Sequence, residues 1–265
     1  MYDILIIDDE TVINEAVTKI AESEGYKIDS CTNAIEGLEK LRKDTYKITL
    51  CDIMMPEMNG FQLLNEVKSE GINTCVIMIT GFSTVENAVK SLNKGAIDFI
   101  PKPFTFDELI SSISRGLEFY EIEKRIKESQ LGNDDGEIIY VACPPKYLKL
   151  GNTSWMHLEY EGVAVVGVTD LFLRTIKTLS SIDLLSVDDL IYQGSTCATL
   201  HTGDDLVHNI LAPIGGKIIE RNEKLVENFS LLEKDPYFEG WLYKIIPADF
   251  EYDMKYLTHC STERV

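Results

Sequence analysis

Two adjacent carboxylates, Asp8-Asp9, directly follow the apolar run Ile4-Leu5-Ile6-Ile7, and a third, Asp52, ends Ile48-Thr49-Leu50-Cys51. A hydroxyl, Thr80, follows Cys75-Val76-Ile77-Met78-Ile79, and a cation, Lys102, follows Phe99-Ile100-Pro101. Three carboxylates brought to one place repel one another, so the group is unfavourable unless a cation joins it. Mg²⁺ suits such a set because it is hard, prefers oxygen, and is usually held by one or two carboxylates plus a phosphoryl oxygen. Beside that metal a carboxylate can attack phosphorus and form an acyl phosphate. Asp52 is the candidate nucleophile, Lys102 a fixed positive charge for the transferring group, and Thr80 a hydroxyl that can donate to a phosphoryl oxygen. Taken singly, each is ordinary: Asp-Asp after a strand is a polar loop, and Lys-Pro a turn. Their combination at the ends of successive apolar runs is what points to phosphoryl chemistry.

Apolar runs such as Ile4–Ile7 and Cys75–Ile79, uninterrupted by polar residues, read as strands covered on both faces, the habit of parallel sheets between helices. The strands' carboxyl ends then share one edge, where such folds bind ligands. The intervening segments carry helical signals. Val12, Ala16, Val17, Ile20 and Ala21 recur at helical spacing. Asn33 with Glu36 has an N-cap pattern, and Ser83 with Glu86 and Thr105 with Glu108 have the pattern of a capping box. A weaker strand is expected over 26–31 and a helix over 61–69. The last helix carries Leu109, Ile110, Ile113 and Leu117 and runs on into the charged stretch 121–128. The Gly, Asn and Asp of residues 131–136 mark a linker. We therefore expect one domain over 1–127, a linker over 128–136 and a second domain over 137–260. In the second, strands are expected at 138–142, 155–160, 163–168, 195–201 and 217–220, with helical patches at 171–178 and 249–258.

The chain of 265 residues is long enough for two cores and carries a net charge of −19. Both halves share the acidity: 14 Lys+Arg stand against 22 Asp+Glu in residues 1–127, and 11 against 22 in the remainder. Nucleic-acid affinity comes mostly from Lys and Arg neutralising phosphates, so no nucleic-acid partner is expected. The six cysteines are scattered without a Cys-x-x-Cys pair, which reads as free thiols in a reducing compartment. No signal-peptide pattern or apolar run of transmembrane length is visible, so no membrane partner and a cytoplasmic location are expected.

The Ile-Asp-Asp opening, Asp52 in Cys-Asp-Ile-Met-Met-Pro-Glu-Met-Asn-Gly, Thr80-Gly81 and Lys102-Pro103-Phe104 together resemble the receiver domain of two-component response regulators. The resemblance implies a flavodoxin-like, doubly wound, five-stranded parallel sheet. It also implies that Asp52 accepts phosphate from a sensor histidine kinase or phosphotransfer protein. Asp8, Asp9, Asp52 and the backbone carbonyl of Met54 would bind Mg²⁺, Thr80 and Phe99 would form a coupled switch pair, and the Lys102–Pro103 bond would be cis. A homodimer through the receiver stays open, as does a bland packing role for Phe99. The chain would be a phosphoacceptor rather than an enzyme, with only intrinsic self-phosphorylation and slow self-dephosphorylation. Met54 and Phe82 would flank the path of the hydrolytic water, and neither can orient it.

From Trp155-Met-His-Leu-Glu-Tyr through Ala212-Pro-Ile-Gly-Gly-Lys to Asp235-Pro-Tyr-Phe-Glu-Gly-Trp, the second half resembles the glycine-cleavage H protein, a flattened β-barrel of the biotinyl/lipoyl-carrier type. The family's function depends on a lysine that carries a lipoyl arm. Counting back from Pro213 puts its place at Asp205, or Asp204, and no Lys or Arg occurs anywhere in 178–216. An amide-linked lipoyl group needs an amine, so no lipoate is expected. His201 and His208 flank this tip without a fixed ligand geometry, and an acidic turn is the expected reading. The tryptophans and tyrosines read as barrel packing. Two functions remain: a response regulator that signals through a non-lipoylated, protein-binding module, or a regulated decoy or subunit for lipoate-handling or glycine-cleavage enzymes.

Overall fold

The computed structural model describes residues 2–81, 84–130 and 139–263. Among these, the chain divides into two compact units, Met1–Asn87 with Lys94–Asp135 and Ala88–Asn93 with Gly136–Val265.

In the first unit the apolar runs form β1 (Tyr2–Ile7), β2 (Ile28–Cys31), β3 (Tyr46–Asp52), β4 (Cys75–Thr80) and β5 (Asp98–Pro101). They make one sheet in the order β2-β1-β3-β4-β5, and every neighbouring pair is parallel. This is a doubly wound, flavodoxin-like α/β sheet, as the resemblance implies. The order reverses between β1 and β3, which leaves a crevice at their carboxyl ends. Ile4, Leu5, Ile6, Ile7, Leu50, Ile77 and Ile79 have no exposed surface, the outcome of helix cover on both faces. Those helices are α1 (Thr11–Ser23), α2 (Ala34–Lys43), α3 (Gly60–Ser69) and α5 (Phe106–Gln130), while α4 (Val85–Asn93) begins in the first unit and has residues 88–93 in the second.

Most helix starts follow their sequence signals. Asn33 Oδ1 accepts from the Glu36 N–H at 2.8 Å, and Thr105 and Glu108 exchange backbone-to-side-chain bonds at 3.2 and 2.7 Å. At α4 the signal is displaced by one residue: Thr84 precedes the helix and accepts from the Asn87 N–H at 3.2 Å, whereas Ser83 lies outside the described residues. A capping box that the sequence reading passes over, Asn59 with Gln62, starts α3 just behind Asp52. Helix α5 continues through residue 130, into the stretch expected as linker, and residues 131–136 lie outside those described.

The second unit is mostly β, in antiparallel sheets consistent with a flattened barrel. Its strands are β6 (Leu148–Leu150), β7 (Ser154–Leu158), β8 (Ala164–Val168), β9 (Leu179–Leu184), β10 (Leu190–Ile191), β11 (Thr196–Thr202), β12 (Val207–Leu211), β13 (Gly216–Arg221), β14 (Trp241–Pro247) and β15 (Thr258–His259). One sheet runs β10-β13-β14-β8-β7-β6-β15 and the other β12-β11-β9. Met156, Val166, Ile218 and Ile245 of the first share a core with Leu200 and Ile210 of the second. Across that core the Tyr243 hydroxyl donates to the Cys197 carbonyl of β11 at 2.8 Å and accepts from the N–H of Leu185, just past β9, at 2.8 Å, so its buried oxygen is satisfied.

Three expectations are corrected here. Residues 139–142 are not a strand: the Val141 N–H donates to Asp170 Oδ2 (2.6 Å) and its carbonyl accepts from the Tyr237 hydroxyl (3.0 Å), so side chains replace a ladder partner. The patch at 171–178 is helical only over Asp170–Arg174, and 249–258 only over Phe250–Asp253 with a 3₁₀ turn, Met254–Tyr256, before β15.

Candidate functional site

The carboxyl ends of β1 and β3 deliver the three acids. Ile7 pairs with Cys51 across the two strands, so Asp8 and Asp52 leave the sheet side by side. Ligand oxygens of Asp8, Asp9 and Asp52 all lie within 4.8 Å of one another, the one grouping of three metal-ligating side chains among the described residues. Asp8 and Asp52 are buried and Asp9 is exposed. Lys102, just past β5, reaches across. Its Nζ lies 2.7 Å from Asp8 Oδ2, 3.1 Å from Glu10 Oε1 and 3.8 Å from Asp52 Oδ1.

One lysine does not neutralise this group. Burial, opposed by the Lys102 charge and reinforced by Asp8, pushes the Asp52 carboxyl up to about 6. Burial likewise raises Asp8, against the bonds it receives from Lys102 and the Glu10 N–H. Lys102 is raised despite its own burial, because Asp8 and Asp52 favour its charge. Asp52 Oδ1 is buried and accepts no hydrogen bond. A buried carboxylate oxygen without a donor, beside two further carboxylates, is the oxygen-only donor set that fits a Mg²⁺ ion.

Thr80 ends β4 one position beyond Ile79, the partner of Asp52, and is fully buried. Its carbonyl accepts from the Lys102 N–H at 2.8 Å, which fixes the start of the Lys102 segment. The Lys102–Pro103 bond is cis, as the resemblance implies. Phe99, on β5, is half-buried against the first unit's core. Met54 lies in the loop after Asp52 with its side chain half-exposed, and Phe82 lies outside the described residues. Asp204 and Asp205 occupy the β11–β12 hairpin tip, where Asp205 has φ 63° and Asp204 Oδ1 accepts from the Thr202 hydroxyl at 2.5 Å. His208 pairs with Leu200 while His201 pairs with Val207, so the two histidines stand at adjacent register positions and point to opposite faces. His201 instead contacts Asp183 at 2.8 Å.

Two contributors escape the sequence reading. Glu10, next to the acidic pair, is a third partner of Lys102, and its position beside Asp8-Asp9 was the available signal. Asn14 sits on the buried face of α1 and donates to the Asp8 carbonyl (2.8 Å) and the Cys31 carbonyl (3.2 Å), tying the ends of β1 and β2 together. A lone amide among the apolar positions of that helix marks it.

Gly60 carries the loop behind Asp52. A Cβ there would lie 2.2 Å from the Asp52 carbonyl oxygen and 3.0 Å from Ile53 Cα, and backbone cannot yield as a flexible side chain can. Gly60→Ala is therefore expected to cost about 1–3 kcal/mol and to displace the carboxylate. Denaturant unfolding of the chain checks the first effect, and loss of phosphoryl uptake in material that remains folded checks the second.

Residues 4–114 match the family model described as the response regulator receiver domain, and residues 146–264 match that of the glycine cleavage H-protein. Transcriptional regulatory protein ZraR of Klebsiella oxytoca is 35% identical over 115 residues, 43% of this chain and 26% of that protein. A CheY-like receiver domain protein from Methanospirillum hungatei JF-1 is 36% identical, with a TM-score of 0.44, over 46% of this chain and 98% of that one. The glycine cleavage system H protein of Mycobacterium marinum is 24% identical, with a TM-score of 0.37, over 40% and 87%. The chain spans about a quarter to a half of the length of the curated relatives it matches.

Proposed function

This chain joins a response regulator receiver domain to a glycine cleavage H-protein-like domain, and from that premise we propose that it is a two-component regulator whose output is a non-lipoylated protein-binding module. Asp52 accepts the phosphoryl group from a sensor histidine kinase or phosphotransfer protein. The observation that carries this reading is the convergence of three carboxylates within 4.8 Å, with Lys102 close to two of them.

Asp8, Asp9, Asp52 and the Met54 carbonyl would hold Mg²⁺, which supplies charge neutralisation for the transferring group. The Asp52 carboxylate is the nucleophile, and burial limits competing water around it. Lys102, already held by Asp8, meets the incoming negative charge without reorganising. The Thr80 hydroxyl donates to the new phosphoryl oxygens, and Phe99 follows it as the switch partner. The reaction is phosphoacceptance with slow self-hydrolysis rather than turnover of a substrate. Met54, half-exposed beside Asp52, cannot orient a water, so Met54→Asn with Phe82→Glu is expected to speed decay of the phosphorylated form. Unchanged or slower decay of the trapped label would contradict that expectation.

In the second domain the lipoyl position is an acid at a tight hairpin tip, and 178–216 contains no lysine. Intact mass after expression with lipoate and a lipoate ligase is expected to show no added lipoyl group; a lipoyl adduct on Lys217 would overturn the reading. The charge of −19 supports a protein rather than a nucleic-acid target. The match to the H-protein over 146–264 favours a second reading, a decoy or subunit for lipoate-handling or glycine-cleavage enzymes. Pull-downs of those enzymes with acetyl-phosphate-treated and untreated chain separate the two.

A further inference from the structure

β15 runs antiparallel to β6, with Thr258 opposite Lys149 and His259 opposite Leu148. One residue on, the Cys260 N–H donates to the Tyr147 carbonyl at 3.0 Å, which places Cys260 against the residue that leads into β6. The Tyr147 N–H in turn donates to the Pro144 carbonyl at 2.9 Å, and this turn folds Cys143 back toward the same point. Two cysteines from opposite ends of the domain thus share one cluster with Trp155, Val165 and Tyr237. Both are buried free thiols, and within that cluster each acts on the ionisation of the other.

Lys149, largely buried on β6, faces this pair. Its charge acts on both sulfurs, and its Nζ donates to Asn152 Oδ1 at 2.9 Å, which holds the ammonium in place. The neighbouring Cys143 lowers the Cys260 thiol from its ordinary value, with burial opposing and Lys149 assisting, so Cys260 is the better thiolate of the two and Cys143 is left as the resolving thiol.

We propose that Cys143 and Cys260 are a redox-active pair, which a hydroperoxide oxidises to an intramolecular disulfide that ties the chain after β15 to the segment before β6. In the first step the Cys260 thiolate attacks a peroxide oxygen. The O–O bond breaks, the departing alkoxide or hydroxide takes a proton, and Cys260 becomes a sulfenic acid. In the second step the Cys143 sulfur attacks the Cys260 sulfur. The S–O bond breaks, water leaves with the Cys143 proton, and the S–S bond forms. Two thiols have lost two electrons and two protons, and one peroxide has been reduced. A dithiol reductant reverses the change by exchange. In a reducing compartment such a bond is transient and regulatory rather than structural.

The test treats the full-length chain with hydrogen peroxide, alkylates it under denaturing conditions and maps the peptides by mass spectrometry. The expected result is a linked peptide joining Cys143 to Cys260, a fall from six alkylatable thiols to four, and return to six with dithiothreitol. In Cys143→Ser the link is lost and dimedone captures Cys260 as its sulfenic acid. Six thiols remaining after peroxide, a link to another cysteine, or overoxidation of Cys260 without a link would each overturn the proposal. The mapping in the parent chain stands even where the serine variant does not fold.

Discussion

Asp52→Asn is expected to take up no phosphoryl group from acetyl phosphate in Mg²⁺, while the chain stays folded. An amide of the same shape cannot attack phosphorus at any useful rate, so the loss should be to background rather than partial. Stability should not fall with it. The Asp52 carboxyl is buried, lies near Asp8 and Asp9, and is pushed up to about 6, so its charge is a burden on the folded chain that the amide removes. Radiolabel or intact-mass measurement after acetyl phosphate treatment, paired with thermal unfolding, reads both effects. Label in Asp52→Asn equal to that of the parent would remove Asp52 from its proposed role. A large drop in thermal midpoint would contradict the charge argument.

Trp155→Ala carries the largest expected cost in stability. The indole has no exposed surface, and its Nε1–H donates to the Val168 carbonyl at 2.9 Å and the Pro236 carbonyl at 3.2 Å. Its ring lies 5.0 Å from that of Tyr147 and 6.0 Å from that of Tyr237. It also fills the space over Gly167, where a Cβ would lie 2.4 Å from the indole. Truncating a buried ring of this size costs about 3–5 kcal/mol, and two buried carbonyls lose a donor in addition. For a domain of this size that corresponds to a fall of about 10–20 °C in its thermal midpoint. The chain has two tryptophans, both in this domain, so Trp241 fluorescence reports the transition in the variant. Trp155→Phe, which keeps a ring but removes the N–H, should lose about 1–3 kcal/mol. A loss below about 1 kcal/mol for the alanine variant would mean that the indole does not anchor the barrel.

The first unit was legible because its strands are apolar on both faces. Ile4–Ile7 and Cys75–Ile79 contain no polar residue and are too short for a buried helix, so both read as buried strands, and each runs directly into a residue that matters. The acids, Thr80 and Lys102 follow from those strand ends. Asn14 and Glu10 carry only the weaker signals of a lone amide on an apolar helix face and a third acid beside a pair, and their bonds to the Asp8 carbonyl and to Lys102 appear only once the strands are placed. The second unit was less legible for a different reason. Its strands are antiparallel and some are largely exposed, so β9 reads Leu-Ser-Ser-Ile-Asp-Leu, a pattern that a loop could also show. Conversely, 139–142 looked like a strand on composition and became an extended segment held by Asp170 and Tyr237, contacts that no local pattern encodes. Strand β14 was hidden in the same way, since its lysine and terminal proline interrupt an otherwise apolar run.

The central claim is that Asp52 is the phosphoacceptor and depends on the acidic cluster around it. The direct measurement incubates the parent chain with acetyl phosphate, with Mg²⁺ in one arm and with EDTA in the other, reduces the acyl phosphate with borohydride and maps the product by peptide mass spectrometry. The account predicts a reduced side chain at Asp52 in the Mg²⁺ arm and none in the EDTA arm. An adduct on another carboxylate, equal labelling in both arms, or no adduct in the folded protein with Mg²⁺ present would contradict it.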